Sequence, residues 1–233
     1  MQLSQTVSHY IEALLRLFYP ACCATCGELL ELEEKGLCGA CRTRLREFRF
    51  RPSEERIRVS LAHGDEGWAL YRYEDLVKEI LHKIKFERRR DLLRVFSGEM
   101  ADFLHRRPEL SHYDFLIPIP MDPRRRMERE FNQAGLLARN ISRLLPSKIK
   151  LGIHILLKKH STPAQHLRGR EARRINLSHV FRVRRAAKIR DKKVLLVDDI
   201  FTTGATLEEG AKTLKAAGAG RVGFLALART LAN

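Results

Sequence analysis

Aromatic side chains are scarce in this 233-residue chain, at 7% with a single Trp, which leaves few ring platforms of the kind that stack against the bases of a single strand. Acidic residues are in the minority too. The 28 Asp and Glu stand against 44 Lys and Arg, for a formal charge of +16. An excess of that size attracts phosphate-bearing partners, and on its own it is equally compatible with a surface kept basic for solubility. Long apolar runs are missing, because charges interrupt every one, so no segment reads as membrane-spanning. Internal repeats and low-complexity tracts are missing as well. What remains, 44% hydrophobic and 31% charged, describes a soluble globular chain with room for one medium domain, or a large domain and a small appendage.

No Lys or Arg precedes Arg16, and polar residues are scattered through the first twenty positions. A secretory signal needs early positive charge and an unbroken apolar stretch, so a cytoplasmic location is expected. Val7, Tyr10, Ile11, Leu14, Leu15 and Phe18 instead fall at the spacing of one helix face.

Four of the five cysteines form two C-x-x-C pairs, Cys23 with Cys26 and Cys38 with Cys41, separated by eleven residues. Two intervening residues let both thiolates of a pair converge on one ion, and tetrahedral zinc needs two such pairs. Two disulfides would use the same residues, but a reducing cytoplasm disfavours them. A closed four-thiolate zinc site is structural, with no open position for water or substrate, and would hold together a segment too short to bury its own core. Lys35, Arg42, Arg44 and Arg46 are near enough in sequence to offset its negative charge. Cys22 is left over.

The expected organisation is an N-terminal helix and cysteine module over residues 1–47, a linker over 48–65, and a larger domain over 66–233. In the larger domain Trp68–Tyr73 reads as an exposed strand, and Leu76, Val77, Ile80, Leu81 and Ile84 mark a helix face. Further helices are expected over Leu92–Leu104 and Asn132–Leu145. Strands are expected after Asp114, over Ile153–Leu157, Val180–Val183, Val194–Val197 and Val222–Leu227. Short apolar runs alternating with amphipathic helices imply an α/β fold with a mostly parallel sheet covered on both faces.

The most informative segment runs from Lys193 to Thr206. A buried parallel strand, Val194–Val197, leaves the carboxyl end of the sheet through Asp198 and Asp199, where ligands of open α/β sheets gather. The turn Thr202-Thr203-Gly204-Ala205-Thr206 then leads into a helix from about Ala205. Unpaired backbone N–H groups there can surround a phosphate, Gly204 permits close approach, and the threonines add hydroxyl donors. Helix capping alone would explain some of these residues. Two acids beside a phosphate cradle would repel the ligand unless a polyol or a metal ion receives them, and a ribose 5-phosphate unit meets both demands.

This run resembles the 5-phosphoribosyl-1-diphosphate (PRPP) motif of type I phosphoribosyltransferases. The resemblance implies that Asp198 and Asp199 contact ribose hydroxyls, that Thr202–Thr206 hold the 5-phosphate, and that Mg²⁺ accompanies PRPP, held mostly by substrate oxygens and water. Taken with the cysteine pairs, the whole chain resembles the ComF family of bacterial competence proteins. Leu17-Phe-Tyr-Pro, His82-Lys-Ile-Lys-Phe with Arg88, and Ile117-Pro-Ile-Pro followed by Arg124, Arg129, Phe131, Asn132, Gln133 and Ala134 carry the likeness. So do Thr162-Pro-Ala-Gln165, Arg173, Asn176 and Phe181. Glu130 departs from it, standing where the family usually has Gly.

From His166 to Arg190 there are nine Lys or Arg and one acid, Glu171. Arg168, Arg170 and Arg173 are the candidates for contacts to a pyrophosphate leaving group or to DNA. The resemblance implies a cytoplasmic competence factor that binds PRPP or a related phosphoribosyl ligand and assists single-stranded DNA during natural transformation, with DNA-translocation proteins as neighbours. The alternative is an active phosphoribosyltransferase that moves ribose 5-phosphate from PRPP to a nitrogen acceptor and releases pyrophosphate. A third is a zinc-stabilised scaffold with a vestigial pocket.

Overall fold

Branched and aliphatic residues on both faces of Val194–Val197 demand cover on both sides, and the chain supplies it. The computed structural model describes residues 16, 18–57, 62–122, 127, 130–145, 149–159 and 180–231. Among them, strands β1 (Glu66–Arg72), β2 (Phe115–Pro118), β3 (Lys150–Leu151), β6 (Lys193–Phe201) and β7 (Arg221–Arg229) form one five-stranded sheet in the order β1-β7-β6-β2-β3. Every pairing in it is parallel. Two short strands, β4 (Leu156–Lys158) and β5 (Phe181–Val183), pair antiparallel outside it. Among the described residues the α-helices with assigned bounds are α1 (Gly39–Arg46), α2 (Asp75–Phe86), α3 (Arg90–His105), α4 (Gln133–Leu144) and α5 (Ala205–Ala216).

The period-two alternation of β6 divides the core. Leu195 and Val197 belong with Ile80 of α2, Leu93 and Phe96 of α3 and Ile141 of α4. Val194 and Leu196 belong with Leu207, Ala211 and Leu214 of α5, and with Leu156 and Phe181 of the small ribbon. Burial of each such aliphatic side chain contributes about 1.5–3 kcal/mol. The fold is therefore α/β, a parallel sheet with helices on both faces, as the alternation of runs implies.

The cysteine module shares the first of these cores. Cys23, Leu37, Cys41 and Leu45 cluster with residues of α2 and α3. Gly36 has φ +76°, and a Cβ there would come within 2.9 Å of Leu92 Cδ2, so glycine serves both the turn and the close approach to α3. Arg16 ties the start of the described chain to the module, donating to the carbonyls of Leu30 at 3.1 Å, Glu31 at 2.6 Å and Leu32 at 3.1 Å. The apolar face expected over Val7–Leu15 lies outside the described residues.

Three sequence expectations differ in detail. The strand expected as exposed over Trp68–Tyr73 is β1, and its middle is buried: Trp68 is 3% exposed and Leu70 is fully covered. The cover comes partly from the stretch read as a linker. Phe50 donates to the Leu70 carbonyl at 2.9 Å, Ile57 to Gly67 at 2.7 Å, and Ala69 to Glu55 at 2.9 Å, which occupies the sheet edge. Ile153–Ile155 form a turn rather than a strand, and the sheet gains the short β3 just before Gly152, where a Cβ would meet Ile117 and Ile155 at 2.9 Å. Finally, β6 continues through both acids to Phe201, because β7 extends alongside it and pairs Asp198 with Ala226 and Ile200 with Ala228. Among the described residues no helix is long and apolar enough to cross a membrane.

Candidate functional site

The carboxyl ends of β2 and β6 and the first turns of α4 and α5 surround a cavity of about 250 Å³. Asp198, Asp199 and Thr206 form one wall. Asn132 and Gln133 also line it, with Lys85 and Lys158 supplying positive charge. Thr202 and Thr203 are exposed on the adjoining turn. Gly204 takes φ +76° and ψ −6° immediately before α5, a left-handed conformation that suits glycine, and releases the first-turn N–H groups of α5 towards an incoming anion. Ala205 N–H is the exception, directed at Thr203 Oγ1 at 3.4 Å.

The two acids are held differently. Asp199 Oδ2 is paired with Lys85 Nζ at 2.7 Å, whereas Asp198 Oδ1 accepts the Asp199 backbone N–H at 2.8 Å. Asp198 keeps some surface towards the cavity, yet protein atoms crowd it, and that burial, followed by the charge of Asp199, pushes its carboxyl well above the ordinary 3.8. One carboxylate charge is thus neutralised by Lys85 and the other is discouraged. Such a pair is prepared to receive hydroxyl groups or a cation.

Lys85, Asn132, Gln133 and Lys158 were not singled out by sequence reasoning as site residues. The signal was present for three of them: Lys85 lies in the His82–Phe86 block, and Asn132 and Gln133 follow the Pro-x-Pro strand end. Asn132 Nδ2 donates to the Ile119 carbonyl at 3.0 Å and fixes the entry to α4. Gln133 is 2% exposed and its Nε2 has no partner among the described residues, an amide donor left for a ligand. Lys158 faces Asp122 Oδ2 at 3.6 Å. Arg168, Arg170 and Arg173 lie outside the described residues, as do Arg124 and Arg129. Glu130, the departure from the family pattern, has φ +61°. That is the left-handed backbone for which glycine is the usual choice.

Away from this cavity's lining, the four thiols of Cys23, Cys26, Cys38 and Cys41 lie within 4.8 Å of one another. Each C-x-x-C pair is set by its backbone. Gly27 N–H returns to the Cys23 carbonyl at 3.0 Å, and Cys38 caps α1 with its sulfur accepting from Cys41 N–H at 3.5 Å. Burial works to raise Cys23, but N–H groups of Cys26, Cys38 and Thr25 outweigh it and hold that thiol at about 6. Burial and the neighbouring sulfurs push Cys41 upwards. Four soft donors at this separation are able to hold one metal ion. Lys83 of α2 donates to the Ala24 carbonyl beside them, which links the cluster to the helix that also carries Lys85. Arg42 is spent on the carbonyls of Leu37 at 3.3 Å and Lys35 at 3.1 Å.

Residues 134–233 match the family described as the phosphoribosyl transferase domain, a span that includes β6, the Thr202–Thr206 turn and α5. Competence protein ComFC of Streptococcus pneumoniae is 32% identical over 69% of this chain and 67% of its own. The chain belongs to the ComF family. This ComF chain is also 28% identical to the DNA utilization protein YhgH of Escherichia coli O157:H7, over 92% of its own length and all of the relative's. It is 26% identical to competence protein F of Haemophilus influenzae over 91% of the chain and 98% of that protein. The ComF chain thus joins a phosphoribosyltransferase-type domain to a cluster of four thiols.

Proposed function

We propose that the chain binds PRPP or a related phosphoribosyl ligand in the 250 Å³ cavity and acts in the handling of single-stranded DNA during natural transformation. The observation that carries the first half is the conjunction of Asp198 and Asp199 with the left-handed Gly204 at the start of α5. The 5-phosphate lies against the N–H groups of the Thr202–Thr206 turn, and the ribose hydroxyls meet the twin acids. Mg²⁺ arrives with the ligand, bound chiefly by its oxygens and by water, and supplies charge neutralisation beside Asp198 and Asp199. Lys85 keeps Asp199 in place and lowers the negative potential that the ligand must approach. Gln133 offers its free amide N–H to the ligand's second anionic group. Arg168, Arg170 and Arg173 are assigned to that group or to DNA.

The second half rests on family membership, on the names of the relatives and on the charge of +16. A cytoplasmic location and a DNA-translocation partner go with it. Zinc held by Cys23, Cys26, Cys38 and Cys41 is the structural ion of this reading, supported by the soft, closed donor set. It would brace residues 1–47 against the domain over 66–233 across the 48–65 connection.

Calorimetry with PRPP and Mg²⁺, wild type beside Asp199→Asn, tests the site. Saturable binding that the substitution weakens by at least tenfold supports the reading, and no binding in wild type removes it. Pyrophosphate release in the presence of a nitrogen base, abolished in Asp198→Asn, would convert the binding protein into a transferase. Elemental analysis of unchelated protein should find one zinc per chain.

A further inference from the structure

A second cavity, of about 540 Å³, adjoins the first and shares Pro120, Met121, Asn132 and Lys158 with it. Two kinds of surface meet there. Leu136, Ile153 and Leu157, each half-buried, contribute aliphatic area above the covered Pro118 and Leu156, while Arg139, His154, Lys159 and Arg182 join Lys158 in bringing basic groups to the lining. The one acid in that lining is Glu130, and it is already held by Arg88 at 2.7 Å and Arg90 at 3.4 Å. Among the described residues Arg139, Lys159 and Arg182 make no ion pair. An uncompensated positive rim therefore borders an apolar bed.

The combination narrows the occupant. An inorganic phosphate would leave the aliphatic bed wet and most of the volume empty. A purely apolar molecule would leave three cations without a counter-charge. A flat ring system joined to one phosphate satisfies both surfaces, and a volume of 540 Å³ lies within the range of small-ligand sites. We propose that this cavity is a nucleotide site, with the base against Leu136, Ile153 and Leu157 and the 5′-phosphate against Arg139 and Arg182. It goes beyond the phosphoribosyl reading, since Arg139, Lys159 and Arg182 take no part in the lining of the first cavity. The nucleotide is either free or one unit of a single strand. The shared wall at Lys158 would set it directly beside the phosphoribosyl ligand.

The test is calorimetry on the full-length protein with thymidine 5′-monophosphate and with thymidine, together with fluorescence anisotropy on a short labelled oligothymidylate. Thymidine 5′-monophosphate should bind at least tenfold more tightly than thymidine, and Arg139→Ala and Arg182→Ala should each weaken it about tenfold, the loss of one charge-assisted contact. Both arginines are exposed, so neither variant should disturb folding. Asp199→Asn should leave this binding unchanged, and the arginine variants should leave the PRPP titration unchanged, which separates failure here from failure of the phosphoribosyl reading. An oligothymidylate that depends on Arg139 and competes with the monophosphate identifies a strand as the source, and a monophosphate that alone binds identifies a free nucleotide. Absence of saturable binding by both probes, thymidine as tight as its monophosphate, or binding unmoved in the Arg139→Ala/Arg182→Ala double variant overturns the proposal.

Discussion

Lys85 Nζ, near the end of α2, lies 2.7 Å from Asp199 Oδ2 at the carboxyl end of β6, with both side chains 16% exposed. The contact joins the helix that braces the thiol cluster to the strand that carries the acids, because Lys83 two residues earlier holds the Ala24 carbonyl. One helix thus registers both candidate sites against each other.

Replacing Lys85 by Met leaves Asp198 and Asp199 facing one another without their cation. Removal of one partner from a fully buried pair costs about 3–5 kcal/mol, and contact with an open cavity reduces that to roughly 1–3 kcal/mol. Urea unfolding should report the loss as a lower midpoint at unchanged slope. The double variant Lys85→Met/Asp199→Asn should recover part of it, since the orphaned charge is gone. A midpoint equal to wild type for Lys85→Met would show that the pair contributes nothing.

Asp198 titrates in the opposite sense from a salt-bridged acid. Burial and then the Asp199 charge raise its folded-state pKa above the ordinary 3.8. Between 3.8 and the raised value the folded chain keeps a proton that the unfolded chain has released, so stability falls as pH rises through that window and is fully present only below it. Asp198→Asn mimics the protonated form at every pH. Its melting temperature should exceed that of wild type at pH 7.5, and the advantage should shrink as the pH is lowered towards 4, while affinity for PRPP falls. An advantage that is equal across the pH range would assign the effect to packing rather than to the proton.

The Thr202–Thr206 turn was legible because everything it needs is contiguous: a strand, two acids, a glycine and a helix start. The cysteine pairs were legible for the same reason. For Lys85 the block His82–Phe86 was visible but its partner was not, because on an amphipathic helix its position looks like any solvated face, and only the tertiary fold brings Asp199 to it. The continuation of β6 through its acids was hidden too. Carboxylates read as a strand end, and it takes β7 as a neighbour to hold Asp198 and Ile200 in the ladder. The stretch Phe48–Ile57 looks weakly periodic and charged, but the edge of β1 offers free backbone groups that it can satisfy. Strand edges of this kind are set by what pairs with them, and no local pattern announces the partner.

Glu130 offers the clearest contest between backbone and charge. Its φ of +61° costs a residue with a Cβ about 1–2 kcal/mol relative to glycine. Against that stand two ion pairs, to Arg88 at 2.7 Å and Arg90 at 3.4 Å, with side chains 43–58% exposed, worth roughly 0–1 kcal/mol each at such exposure. Glycine also loses about 0.4–1 kcal/mol through the freedom of its unfolded chain. The terms nearly cancel, so Glu130→Gly should match wild type within about 1 kcal/mol in thermal or urea unfolding. Glu130→Ala keeps the strain and loses the pairs, and should fall below the Gly variant by about 1 kcal/mol. If Ala and Gly proved equally stable, the left-handed turn would carry no strain.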